Sequence, residues 1–423
     1  MSGLYSWLLL FGLIVFFLGL FTKWFQQRWY LTEPLTGVIL GVIIGPAGLG
    51  LLSLSVTGDQ TQLLQEVSRV TLAVADMGVA LRLPSGYPLK NWRSLAVVLG
   101  LGMVLMMAVS GLLIWGLLGV SFWVAILIGA TVASTDPIVA TTIVTGDIAE
   151  KYVPARVRHF ISAESGANDG AVYPLVLLPI LVLTQPQGEV ISQWLVDVIG
   201  WQIGGAVLLG AILGYGSSRL LTWTESVGIV ERGTFLAYTF ALTFVVLGAS
   251  RLLGVDGVLA VFVAGIAYRI GPGTDEPTEE AQIQQAMTKF FVLPAFVFVG
   301  LAIPWDAWLE LGWRGLVLAV LILLLRRPPV IVGLSRWFRP LQTRKETVFT
   351  AWFGPIGIST LFYAMLAERQ TGLDSIWPVA SLLLCASLIA HGLSATPFSR
   401  RMEGGREGDP EAWEEGDNDD GRQ

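Results

Sequence analysis

Charge is what this chain has least of. Asp, Glu, Lys and Arg make up 14% of its 423 residues against 54% hydrophobic ones, and it holds one cysteine and two histidines. With a mean hydropathy of +0.67, that scarcity excludes an ordinary soluble domain and implies a polytopic membrane protein. Cys385 has no second cysteine to pair with, so an intramolecular disulfide is excluded; in its apolar run it reads as a small core residue. His159 and His391 lie near the ends of apolar runs and are too few for a metal centre or a proton relay. A Gly-Lys-[Ser/Thr] phosphate loop is absent, which removes ATP-driven pumping. An intramembrane protease would need a Gly-x-Gly-Asp motif or a paired nucleophile. The first is missing, and Ser165 and His159 point to different helix faces, so the chain does not read as an enzyme. The first hydrophobic run, Leu4 to Thr22, has neither a basic leader nor a small-residue cleavage site and is expected to be a retained helix.

What is abundant is apolar sequence in windows near the ~20 residues that cross a bilayer. Thirteen are expected, at about 4–22, 31–52, 62–83, 95–118, 122–145, 159–183, 198–221, 234–252, 255–270, 289–303, 313–334, 347–367 and 377–395. The loops between them sort by charge. Odd-numbered loops hold sixteen basic residues, among them Arg82, Lys151, Arg156, Lys289 and Lys345, whereas even-numbered loops hold three, Arg251, Arg314 and Arg369. The bias predicts odd loops and the C-terminus in the cytoplasm and the N-terminus outside. Two hydrophilic segments carry much of the net charge of −6: Gly271 to Gln285, with four acids, and the tail after Pro397, with nine acids and four arginines. Both are expected to be solvated or disordered.

Two windows break their own helices. Ser134-Thr135-Asp136-Pro137 interrupts the fifth, and Gly354-Pro355-Ile356-Gly357 the twelfth. Proline removes an amide donor and clashes with the preceding turn, so each should unwind there. Seven windows separate them, so they run in opposite directions. That is the pattern of inverted repeats with the substrate site where the broken helices cross. The expected organisation is a membrane domain over 1–395, with repeat one about 4–183 and repeat two about 234–395, followed by an acidic, disordered tail over 396–423.

The chemistry concentrates in Ala163-Glu164-Ser165-Gly166-Ala167-Asn168-Asp169-Gly170. On a helix Ser165 and Asp169 share one face, and Glu164 and Asn168 another. An acid at membrane depth costs about 2.5 to 3.5 kcal/mol on insertion scales, so it is kept mainly to handle an ion, a proton or a partner charge. Hard monovalent cations want oxygen ligands: Ser165 and Asp169 offer a hydroxyl and a carboxylate, Asn168 beside Glu164 an amide and a carboxylate, and the unwound backbone near Thr135 would add carbonyls to this cation and proton site. Asp136 has a second role open to it, compensating the positive end of a half-helix. A desolvated carboxylate is neutralised by either a proton or a cation, and competition between the two suffices for exchange. Arg326 and Arg327 interrupt an apolar run just before Pro328-Pro329. One is expected to snorkel to an interface and the other to turn inward to pair with Glu164. Asp76 is a weaker candidate for the same path, and Asp256 reads as a helix-start residue.

Thr135-Asp136-Pro137, then Glu150-Lys151-Tyr152-Val153-Pro154, then the Ala163 to Gly170 motif together resemble the signature of monovalent cation/proton antiporters of the sodium/proton exchanger type. The likeness is greatest to the fungal plasma-membrane sodium/proton antiporters and their bacterial relatives. Gly78 to Pro84, Leu259 to Gly265 and Trp352 to Gly357 extend it along the chain. The resemblance implies an all-α inverted-repeat fold of about thirteen transmembrane helices, with a dimerisation bundle and a mobile core. It further implies Asp169 as the shared carrier of Na⁺ (or Li⁺ or K⁺) and H⁺, with Thr135, Asp136 and Ser165 completing the site. Asn168 stands where electrogenic relatives carry a second Asp, which favours electroneutral exchange. NhaP-type members have an arginine in the second broken helix where this chain has Ile356; Arg326 or Arg327 must then supply the partner of Glu164, or Glu164 is protonated. The expected partners are the two cations, a lipid bilayer, most naturally the plasma membrane, and a second copy of the chain. No cofactor and no nucleic acid are expected. The competing reading is a channel or uniporter using the same acids.

Overall fold

The computed structural model describes residues 2–54, 59–229, 238–272 and 278–402, and its regular elements are all helical among them. The helices are α1 (Ser2–Trp29), α2 (Glu33–Ile44), α3 (Gln60–Arg82), α4 (Trp92–Leu118), α5a (Phe122–Thr131), α5b (Pro137–Val144), α6 (Ala155–Thr184) and α7 (Val190–Ser226). They continue as α8 (Tyr238–Leu253), α9 (Gly257–Ile270), α10 (Thr278–Leu301), α11 (Trp305–Trp337), α12a (Arg344–Trp352), α12b (Ile358–Thr371) and α13 (Ile376–Arg400). Each apolar window of the sequence falls on one helix or one broken pair. Five of the described stretches (α4, α6, α7, α11, α13) are long and apolar enough to cross a membrane by themselves.

Alternation of the loops is visible in their contacts. Odd-numbered connections meet one another: Ser85 Oγ donates to the Arg269 carbonyl at 2.9 Å, Ser94 Oγ to Trp337 at 3.0 Å, and Arg156 pairs with Glu346 at 2.7 Å. Even-numbered ones meet at the opposite end, where Trp201 Nε1 donates to Leu253 at 3.1 Å and Trp377 Nε1 to Ala302 at 2.8 Å. The fold therefore has an odd-loop face and an even-loop face.

Three boundaries differ from the sequence reading. The polar segment 271–285 is helical from Thr278, because a helix that projects beyond the bilayer needs no apolar surface and hydropathy passes over it. Its residues 273–277 lie outside the described residues. Likewise α13 runs on to Arg400, past the expected end at 395. Buried Ser399 and Met402 pin that end, with Lys345 Nζ donating to the Met402 carbonyl at 3.3 Å. The acidic tail from 403 is outside the described residues. Thirdly, neither Arg326 nor Arg327 snorkels: both are 2% exposed at a further break, where Pro328 restarts α11.

Candidate functional site

Both predicted breaks are present, and they touch. The Asp136 amide donates to the Pro355 carbonyl at 2.8 Å, and the Ser134 and Ser359 hydroxyls meet at 2.8 Å. Four half-helix ends thus converge in the buried centre, α5b and α12b with N-termini inward, α5a and α12a with C-termini inward. Each end carries a partial charge of roughly half a unit, and one residue of each sign answers them. Asp136 accepts from the amides of Ile138 (2.7 Å) and Val139 (3.2 Å) on α5b, and from the Ile358 amide that opens α12b. Arg326 donates to the carbonyls of Val132 and Gly354, just past the ends of α5a and α12a, and to Ser134 at 3.2 Å. Arg326 is therefore not a partner of Glu164, since stranded carbonyls at two helix ends claim its donors. Room for these groups comes from glycine. A Cβ at Gly357 would stand 2.0 Å from Asp136 Oδ2, and one at Gly354 1.9 Å from Arg327 Cδ.

Arg327 takes the other role, donating Nη1 to Glu164 Oε1 at 2.7 Å and Nη2 to Oε2 at 2.8 Å, with Glu164 0% exposed. Around this pair, Asn168 Nδ2 donates to Thr135 Oγ1 (2.6 Å) and to Glu164 Oε1 (3.2 Å), and its Oδ1 accepts from the Thr135 amide at 3.1 Å. Thr135 Oγ1 also meets Ser165 Oγ at 3.2 Å. Thr135, Glu164, Ser165, Asn168 and Arg327 therefore form one network that fixes α6 against the unwound part of α5.

Asp169 is outside that network. It is 0% exposed, and neither carboxylate oxygen has a hydrogen-bond partner, although the Ser359 hydroxyl faces it. Asp76 on α3 is in the same condition, fully buried with both oxygens unpartnered, and lies within electrostatic range of Asp169. Unpaired buried carboxylates are costly, and these two are the described acids with both side-chain oxygens buried and unpartnered. A cavity of about 650 Å³ opens between α1, α2, α3, α5b, α10 and α13 and is lined at its inner end by Ala75, Pro137 and Ile138, chain neighbours of Asp76 and Asp136. Oxygen donors of the kind a monovalent cation takes therefore lie beside an open approach from the odd-loop face.

Asp256 caps α9, accepting from the Val258 amide at 3.0 Å. Sequence reasoning left out Tyr363, whose hydroxyl donates to the Asp169 carbonyl, and Ser359 beside it. A tyrosine in an apolar run one turn past a helix break was the available signal. It also gave His391 no role, whereas that ring bonds the Trp352 carbonyl at 3.0 Å and Ser387, which in turn holds the Ile356 amide at 2.8 Å.

Residues 11–401 match the family model described as sodium/hydrogen exchanger, transmembrane. The chain is 30% identical over 422 residues to Na(+)/H(+) antiporter 2 of Zygosaccharomyces rouxii, covering 92% of this chain and 52% of that one. It is 29% identical to a Na(+)/H(+) antiporter of Saccharomyces cerevisiae, covering 89% and 41%. It thus spans about half the length of these curated relatives. Among solved structures it resembles the sodium proton antiporter MjNhaP1 of Methanocaldococcus jannaschii, with a TM-score of 0.69 at 17% identity, covering 94% of this chain and 99% of that one. Taken with the crossed broken helices, the match over most of its length establishes that this membrane protein belongs to the transmembrane sodium/hydrogen exchanger family.

Proposed function

We propose that the chain is a secondary antiporter that exchanges Na⁺, or the chemically similar Li⁺ or K⁺, for H⁺, with both cations competing for Asp169. The observation that carries this reading is the pair of buried, unpartnered carboxylates, Asp169 and Asp76, beside the crossing of the broken helices. A carboxylate held ready in a desolvated place, with hydroxyls and unwound backbone close by, binds either a proton or a hard cation. Asp76 enters as a second oxygen ligand that keeps its proton through the cycle, so that Asp169 alone is shared between the ions. Asp136 contributes field more than ligation, because amide donors already occupy both its oxygens. Ser165 and Thr135 add hydroxyls, while Asn168 and the Glu164–Arg327 pair hold the frame.

A single shared carboxylate gives one-for-one, electroneutral exchange. Asn168 supports this, since it spends its amide on Thr135 and Glu164 and adds no titrating group next to Asp169. A carrier is favoured over a channel because the odd-loop cavity is separated from the even-loop face by the packed layer of Tyr173, Phe362 and Tyr363. The proposed placement puts the odd-loop face in the cytoplasm of a plasma membrane, following the basic residues, and the transporting unit is a homodimer. Repeat one is taken as about 4–183 and repeat two as about 234–395.

The test is vesicle exchange. Purified protein in proteoliposomes should drive proton flux from an imposed Na⁺ gradient, and Asp169→Asn, which keeps shape but removes the titrating ligand, should abolish it while the protein stays inserted and folded. Exchange at the wild-type rate by Asp169→Asn would sink the assignment.

A further inference from the structure

A second cavity, of about 320 Å³, lies on the even-loop face between α3, α6, α8, α9 and α12b. Five of the six helices around the larger one have their repeat counterparts here: α1, α2, α5b, α10 and α13 answer to α8, α9, α12b, α3 and α6. The α2 helix packs on α10 and α9 on α3, the exchange of partners that inverted repeats require. The register is set by close approaches. A Cβ on Gly41 of α2 would stand 2.9 Å from Gly300 of α10, and one on Gly265 of α9 2.5 Å from Ala80 of α3. Matching Gly41 to Gly265 and Gly300 to Ala80 superposes Lys289 on Arg69 and brings Glu33 to within one residue of Asp256. The neighbours agree: Thr288 Oγ1 bonds back to Gln284 at 2.8 Å, as Ser68 Oγ bonds back to Leu64 at 2.7 Å. Counting from the first residues of α5b and α12b, Thr141 and the C-cap Thr145 correspond to Phe362 and Leu366, and each pair lines its own cavity.

The contacts across the two mouths nevertheless differ. On the even-loop face α3 is fastened to α12b. Arg369 Nη1 donates to Gln65 Oε1 at 2.7 Å, and the Arg69 guanidinium sits 5.3 Å from the Phe362 ring centroid. On the odd-loop face the counterpart Lys289 pairs at 2.6 Å with Glu33 of α2 instead of reaching α5b, and α10 faces α5b across the 650 Å³ cavity.

We propose that Gln65 and Arg69 on α3, with Phe362 and Arg369 on α12b, form the outer gate of the exchanger, closed in this conformation. Lys289 is its repeat-related counterpart: when the outer gate parts, Lys289 leaves Glu33 and closes the inner mouth on α5b around Thr141 and Thr145. This rests on the antiport reading above. A hydrogen bond and a cation–π contact at the edge of water are weak enough to be made and broken in every cycle, which a gate needs and a structural clamp does not.

Removing the lone cysteine by Cys385→Ser allows single reporters, Leu366→Cys in the outer cavity or Thr142→Cys in the inner one, to be labelled in vesicles with a membrane-impermeant maleimide from either side. Adding Gln65→Ala and Arg369→Gln should raise Leu366→Cys labelling from the even-loop face several-fold and lower Thr142→Cys labelling from the other. Joining Gln65→Cys to Arg369→Cys with a short, cleavable bismaleimide should stop exchange, leave the inner reporter reactive, and be reversed on cleavage. Unchanged outer labelling in the double variant, or full exchange by the cross-linked protein, would overturn the gate. If the wild type itself fails to exchange, the antiport reading falls while the labelling arm still decides the gate.

Discussion

Breaking the Glu164–Arg327 pair should cost more on one side than on the other. The pair is bidentate at 2.7 and 2.8 Å with both residues at most 2% exposed, so solvent does not screen it. Removing one member of such a pair typically costs about 3 to 5 kcal/mol, because the other charge is left buried and uncompensated. Glu164→Gln leaves Arg327 buried with no acid beside it, within electrostatic range of the like-charged Arg326 and keeping only the Thr350 carbonyl at 3.3 Å, and should fall at the upper end. Arg327→Gln leaves a carboxylate that still accepts from Asn168 at 3.2 Å and Thr135 at 3.4 Å, and should fall at the lower end. The double variant removes both charges and should lose clearly less than the sum, with a coupling of about 2 kcal/mol or more. Thermal unfolding of the four proteins in one detergent gives the cycle. Additive losses would refute the reasoning, as would Arg327→Gln being the more damaging of the two. Vesicle exchange by whatever fraction of Glu164→Gln remains folded should keep most of its turnover, since the pair holds the site without belonging to it.

Two further changes probe the crossing. Gly357→Ala puts a methyl 2.0 Å from Asp136 Oδ2 and forces the α12b amide away from its acceptor, so a loss of about 2 to 4 kcal/mol in thermal unfolding is expected, with exchange abolished. Arg326→Gln strands the carbonyls of Val132 and Gly354 at two helix ends. It should destabilise by about 3 kcal/mol or more, and Arg326→Lys, a point charge without the fork, should recover only part of that.

Much of this is legible in the sequence. Helix positions follow from apolar windows, and the two breaks from Asp136-Pro137 and Gly354-Pro355, because both signals are local in the chain. The loop alternation was legible for the same reason. What stayed hidden was which of two adjacent arginines does what: Arg326 and Arg327 have the same chemistry, and only the tertiary placement of the Val132 and Gly354 carbonyls separates them. Asp76 stands out less in the sequence because its span is weakly hydrophobic, and its significance lies in having no partner, a fact that no sequence window contains. The gate contacts escaped likewise, since Gln65 and Arg369 are 304 residues apart.

The central claim is that one buried carboxylate serves both ions, and the most direct measurement is the pH dependence of apparent Na⁺ affinity in proteoliposomes. Competition predicts that the half-saturating Na⁺ concentration rises by about tenfold per pH unit on the acid limb, the slope of one proton displaced per cation, while the maximal rate at saturating Na⁺ changes far less. At fixed sub-saturating Na⁺ the rate should be bell-shaped in pH, and both limbs should move to lower pH as Na⁺ is raised. A bell whose position ignores the Na⁺ concentration would contradict the account, and would place pH sensing on a group other than Asp169.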